Sequence, residues 1–352
     1  MMRAHLPGLT ALALAFTSLV WPAAAPGPAP AGGLWVDRAI LQQLPVEGAA
    51  WQNVRSQATA PCGQPNLSDQ NSLANTCVMA KALVAARTDD RGLRREVAGA
   101  LDRIASGGEY IGRALALGRE LAAYVIAADL IELQRYDEPL DRRFRAKISA
   151  LLVAPTQQGP RSLIDCHERR PNNWGTHCGA SRAAVAAYLG DRIALERTAA
   201  VFKGYLGDRG AYAGFSYGDL DWQCDPARPV GINPKGCARY GRPLGGVLPD
   251  DQRRGGPFSW PPPHENYVYE GLQGALAQAV ILHRAGFDSF EWGDRALLRA
   301  FEWLHQHAAF PAAGDDQWQP HVINHFYGMV FPAPAGVRPG KNVGWTDWTH
   351  AR

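Results

Sequence analysis

The stretch Arg169–Gly190, RRPNNWGTHCGASRAAVAAYLG, joins a polar, glycine-containing loop to an alanine-rich run. Pro171 disfavours helix for the residue before it, so a new element is expected to start about here. Asn172, Asn173 and Thr176 carry uncharged amides and a hydroxyl, Trp174 a flat apolar plate, and His177 a ring that titrates near neutral pH. Two readings of this loop stand side by side. It is either an N-capping turn that ties two helices together, or the mouth of a site for a polar, ring-shaped, anionic ligand.

Outward from this stretch, apolar residues recur at three-and-four spacing over 76–88, 93–105, 112–134, 138–152, 179–189, 192–205, 266–285 and 294–308. The run GRALALGRELAAYVIAADLIEL, ending at Leu133, is apolar nearly all round and belongs in the interior. No run of alternating β-branched residues competes with these helices. Successive helices with short links predict an all-α fold: an (α/α) toroid, or incomplete α/α barrel, of helical hairpins with long loops at one rim. The longest such loop, 206–264, is rich in Gly, Pro, Tyr, Trp and Asp, and loops of that length are normally functional. No polar linker separates the helical blocks, so 26–352 is expected to form a single domain.

The remaining bounds concern compartment and partners. Residues 1–25 have the features of an export signal: Arg3 and His5, an apolar run from Leu9 to Val20, and Ala23-Ala24-Ala25 for cleavage. No later segment is long and apolar enough for a membrane span. The expected location is periplasmic or secreted, and the expected state a monomer. The net charge of +3 is too small to argue for nucleic acid. Arg outnumbers Lys thirty-one to five within the 36 basic residues, and Arg presents planar forks suited to carboxylates. Six cysteines in an exported chain favour disulfides, and neighbour pairing is the expectation: Cys62 with Cys77, Cys166 with Cys178, and Cys224 with Cys237. No Cys-x-x-Cys occurs, and no metal site is expected. His321 and His325 are spaced as ligands on a helix, but Pro320 argues against a regular helix there. Asp347 and Trp348 are expected to pack rather than to line a cleft.

A second informative stretch is Asp250–Leu276, DDQRRGGPFSWPPPHENYVYEGLQGAL. Arg253, Arg254, His264, Tyr267 and Tyr269 precede an apolar helix. A tyrosine hydroxyl held beside a guanidinium can serve as base or acid, and an arginine can clamp a carboxylate through two parallel hydrogen bonds. The plainer reading makes the tyrosines rim aromatics and the arginines solvated.

Together the two stretches resemble the alginate lyase superfamily of polysaccharide lyases, and more the glucuronan-lyase-like branch than the standard alginate lyases. The matching residues are Asn172-Asn173 before a Gly/Ala-rich helix, Arg254 upstream of Tyr267-Val-Tyr-Glu-Gly-Leu, and Asn324-His325-Phe326-Tyr327-Gly328. The resemblance implies β-elimination on a uronic-acid polysaccharide, alginate or a β-1,4-glucuronan-like polyuronide, without metal or organic cofactor. It implies that Asn173, with Asn172, neutralises the sugar carboxylate, that Tyr267 is base, acid or both, and that Arg254 or Arg253 tunes the tyrosine or holds the carboxylate. The family pattern has His directly after the second Asn, where this chain has Trp174, so His177 and His264 stand as alternative bases. Trp174, Tyr269, Asn324, His325 and Tyr327 become candidate sugar contacts. Two rival functions remain at this level: a glycoside hydrolase on the same helical ring, which needs two flanking carboxylates, and a non-catalytic exported carbohydrate-binding protein.

Overall fold

The computed structural model describes Met1 and residues 32–351. The expected export signal, apart from Met1, lies outside the described residues. The described chain is mostly helical. Its first half contains α1 (Arg38–Gln43), α2 (Gly48–Thr59), α3 (Ala74–Thr88), α4 (Arg91–Ala105), α5 (Ala114–Leu130), α6 (Leu133–Tyr136), α7 (Glu138–Val153), α8 (Leu163–Arg169), α9 (Asn173–Leu189) and α10 (Arg192–Tyr205). A two-stranded hairpin, β1 (Ala238–Arg239) and β2 (Arg242–Pro243), interrupts the long irregular segment that follows. Then come α11 (Pro249–Gln252), α12 (Tyr267–Arg284), α13 (Trp292–Gln306), α14 (Gln319–Tyr327) and α15 (Thr346–Thr349).

Local chemistry explains many of the boundaries. Side chains of Asp37, Asp90, Asp137, Ser162, Asn172 and Asp191 accept from free backbone N–H groups at the starts of α1, α4, α7, α8, α9 and α10. Helix α9 ends at Gly190, whose φ of 71° is the left-handed conformation that closes a helix. Pro320 lies in the first turn of α14, where its missing N–H has no partner to lose, so the expectation of irregular chain at His321–His325 is corrected. His321 on that helix meets the Pro334 carbonyl through Nε2 at 2.8 Å.

Helix α9 is the axis of the packing, lying between α5 and α12, with α8 and α10 also against it. Helices α3 and then α2 extend the stack beyond α5, while α4 bridges α3 and α7. Every residue of α5 is buried, and α9 is buried on all sides, as its lack of a polar face requires. Glycines let the three central helices approach closely. A Cβ on Gly118 of α5 would stand 2.8 Å from the Cys178 nitrogen, and one on Gly179 would stand 2.7 Å from His167 Nε2. A Cβ on Gly274 of α12 would collide with the main chain of Thr176 and His177. Apolar side chains from the long helices join in one continuous core.

Two of the three expected disulfides form, Cys62–Cys77 with Cα atoms 5.4 Å apart and Cys224–Cys237 at 5.8 Å. Cys166 and Cys178 are free, buried thiols, which corrects the third pairing. Each thiol donates to a carbonyl, Cys166 to Trp174 at 3.3 Å and Cys178 to Ala114 at 3.4 Å, so each is satisfied without a bridge. The C-terminal tail wraps back over the N-terminal helices. Trp345 Nε1 donates to the Thr76 carbonyl at 3.1 Å, and Trp348 Nε1 to that of Pro45 at 2.8 Å. Asp347 accepts the Gly336 N–H at 2.7 Å, so Asp347 and Trp348 pack as expected.

Candidate active site

Helix α9 begins directly after Pro171, and the two asparagines at its start have different fates. Asn172 is consumed by structure: its Oδ1 accepts the Trp174 N–H at 3.1 Å and its Nδ2 donates to Asp250 Oδ2 at 2.7 Å. Asn173 donates its backbone N–H to Asp251 Oδ1 at 3.0 Å, but neither atom of its side-chain amide has a hydrogen-bond partner. That amide is fully buried, and Asn173 is one of the residues lining a cavity of about 470 Å³. Burying an unpaired amide costs free energy, which a ligand with matching groups would recover.

The start of α12 also lines this cavity. Tyr267 is its first residue and is 36% exposed, and the Arg254 guanidinium carbon stands 3.6 Å from the centre of the Tyr267 ring. Asn173, Trp174, Arg254 and Tyr267 all line the one cavity. Helical periodicity accounts for the second layer. Asn173 and His177 are one turn apart on α9, and Tyr267, Glu270 and Gly274 share a face of α12, so the gap at Gly274 sets these two rows against each other.

Behind the cavity is a charged cluster that sequence reading did not assign. Glu270 is paired with Arg119 of α5 and lies 3.8 Å from His177 Nε2. Burial alone would raise the Glu270 carboxyl, but His177, Arg119 and Lys341 together hold it below the ordinary carboxylate range. His177 is wholly enclosed. Burial pulls its ring down to about 4, against the opposing pull of Glu270, so it is neutral at physiological pH and does not reach the cavity. Arg113, Arg119, Arg254 and Lys341 line the cavity against the single carboxylate of Glu270, and the resulting field favours an anion.

The Asn-Asn loop is anchored to the arginine loop through adjacent acids. Asp250 accepts from Asn172, from the Gly218 N–H at 2.8 Å and from Arg253 Nε at 2.9 Å. Burial pushes Asp251 well above the usual carboxylate range; the Asn173 N–H works against this, and Asp250 adds to it.

Several expected site residues lie elsewhere. Arg253 is committed to Asp250 and does not line the cavity. His264 meets the Ala308 carbonyl at 2.9 Å and stacks on Phe310, so it is a packing residue and not a base in this cavity. The buried Tyr269 donates its hydroxyl to Phe310 O at 2.6 Å. Asn324 pairs with both backbone groups of Phe331 at 2.8 Å, Tyr327 donates to Phe290 O at 2.6 Å, and His325 packs edge-on against Phe326 and His350. None of these lines the cavity. Among the described residues, no three His, Cys, Asp or Glu side chains gather as metal ligands would. The most visible signal for this cluster in the sequence is Arg119, a charge in the middle of a largely apolar run, since a buried charge demands a partner.

No protein-family model matches this chain, and a search among curated proteins returned no relative.

Proposed function

We propose that the chain is a polysaccharide lyase of the alginate lyase superfamily, close to its glucuronan-lyase-like branch, cleaving a uronic-acid polymer by β-elimination. The observation that supports this reading is that Asn173, whose buried amide is unpaired, and Tyr267 line the same cavity, together with guanidinium and ammonium groups. In the proposed reaction the sugar carboxylate lies against Asn173, with the cations of the cavity offsetting its charge. The C5 proton, made acidic by that neutralisation, passes to the oxygen of Tyr267, which acts in its ionised phenolate form and becomes the hydroxyl. The C4–O bond then breaks, its electrons leave with the glycosidic oxygen, which takes the proton back from the Tyr267 hydroxyl, and a C4=C5 double bond remains in the sugar. Arg254, stacked on the tyrosine ring, orients it. Glu270 is a supporting group rather than a base, because its pairing with Arg119 and the nearby charge of Lys341 hold it ionised and occupied.

Glycoside hydrolysis is less well supported, since it asks for two carboxylates across the bond and Glu270 alone lines the cavity. The helical stack is proposed to be a segment of an (α/α) toroid, and the protein to act as an exported monomer; its two disulfides suit an oxidising compartment. Among the described residues, no helix is long and apolar enough to cross a membrane.

The test is incubation with alginate blocks, glucuronan and related polyuronides while following ultraviolet absorbance. A lyase creates an absorbing unsaturated end; new reducing ends without absorbance would mean hydrolysis, and binding without turnover a carbohydrate-binding protein. Tyr267→Phe is expected to fold normally and lose nearly all turnover, because no described residue hydrogen-bonds its exposed hydroxyl.

A further inference from the structure

Next to the cavity at Asn173 lies a second hollow of about 440 Å³, and the two share Gln70, Asn71 and Arg113 as a common wall. The far side of the second hollow is the loop between α7 and α8, where Gln157 and Gln158 are exposed. That loop is tied down by the Gln157 N–H, which donates to the Gly112 carbonyl at 2.8 Å. Among the described residues, no hydrogen-bond partner engages either glutamine side chain and no ion pair engages Arg113. The polar side chains of the lining are otherwise amides and the Ser68 hydroxyl, beside the apolar Ile111 and Ala116, with Asp69 as its one carboxylate, capping the Asn71 N–H at 3.0 Å. Neutral amides suit sugar hydroxyls, whereas a lone guanidinium on the dividing wall suits a carboxylate.

We propose that the two hollows form one substrate groove. The first holds the uronate that undergoes elimination. The second holds a neighbouring uronate of the same chain, its carboxylate on Arg113 and its hydroxyls on Gln157 and Gln158. This rests on the polyuronide reading above and adds to it that the preferred substrate is an oligomer spanning both hollows.

The experiment compares uronate oligosaccharides from the disaccharide to the hexasaccharide, using wild type, the double variant Gln157→Ala/Gln158→Ala, and Arg113→Ala. In wild type, kcat/KM should rise with length until both hollows are filled. The glutamine double variant should lose about tenfold on the long oligomers and little on the shortest one cleaved. Arg113→Ala should lose more on long than on short substrates. An equal loss at every length, or no loss at any, would overturn the proposal. Calorimetric affinities for the same oligomers read the groove separately. If wild type cleaves nothing, the lyase reading fails, but length-dependent affinity that the glutamine variant abolishes would still support the groove. Affinity independent of length, or no binding at all, would overturn it.

Discussion

Gly274 of α12 lies so close to the main chain of His177 on α9 that no side chain, not even a methyl group, fits between them. This contact aligns the row carrying Asn173 with the row carrying Tyr267. Gly274→Ala would force backbone against backbone, and overpacking of this kind costs about 1–3 kcal/mol or more. Chemical denaturation should show that loss. The substitution should also lower turnover in the protein that remains folded, because the cavity walls must separate.

Asn172 and Asn173 should behave oppositely on substitution, although they are neighbours. Asn172→Ala removes a helix cap and the donor to Asp250, so it should cost about 1–2 kcal/mol of stability. Asn173→Ala removes an amide with no protein partner, so stability should change little, while turnover falls about 10²–10³-fold, as for loss of a charge-stabilising donor. Paired denaturation curves and initial rates on a polyuronide separate the two roles. A stable, fully active Asn173→Ala protein would remove that amide from the chemistry.

The Asp316 carboxyl contributes a pH signature. Burial raises it to about 8, although the side-chain amides of Gln273 and Gln319 donate to it at 2.7 and 2.8 Å. Gln273 also receives the Lys341 N–H at 2.7 Å, which fixes Lys341 at the cavity wall. With the folded value above the unfolded one, the protonated carboxyl's stability contribution is complete below the ordinary aspartate value of 3.8 and is lost as pH rises through about 8. Asp316→Asn stays neutral and keeps the accepting oxygen. Its stability relative to wild type should therefore rise across that window, by at most about 1.4 kcal/mol per pH unit, and level off above it. Urea titrations at several pH values give the difference directly.

Thiol counting tests the cysteine assignment. Denatured, unreduced protein should expose two reactive thiols, those of Cys166 and Cys178, and all six after reduction. Reductant should also lower the melting temperature, because disulfides of this kind typically contribute about 2–4 kcal/mol.

The helices were legible where periodicity was long. The stretches 192–205, 138–152 and 266–285 fall within a residue or so of α10, α7 and α12. The start of α9 was not. Asn173, Gly175 and Thr176 are poor helix formers and looked like loop, but Gly175 is needed where α9 passes the Arg170 carbonyl, and packing overrides propensity. Asn173, Trp174, Arg254 and Tyr267 were legible as a set because each sits at the edge of a helix beside turn-forming residues. The Arg119–Glu270 pair was not, since its partners are 151 residues apart and only the fold joins them. The stretch Asn324–Tyr327 shows the converse difficulty: polar and aromatic residues with a site-like composition spend their hydrogen bonds on neighbouring backbone carbonyls and amides.

Lys341 reaches the cavity from a tail pinned by the indoles of Trp345 and Trp348, which thread back to the N-terminal helices. A protease nick or an engineered stop codon ahead of that lysine would therefore open the wall of the cavity that holds Asn173 and Tyr267. Substitutions at either indole should likewise loosen the wall that Lys341 completes.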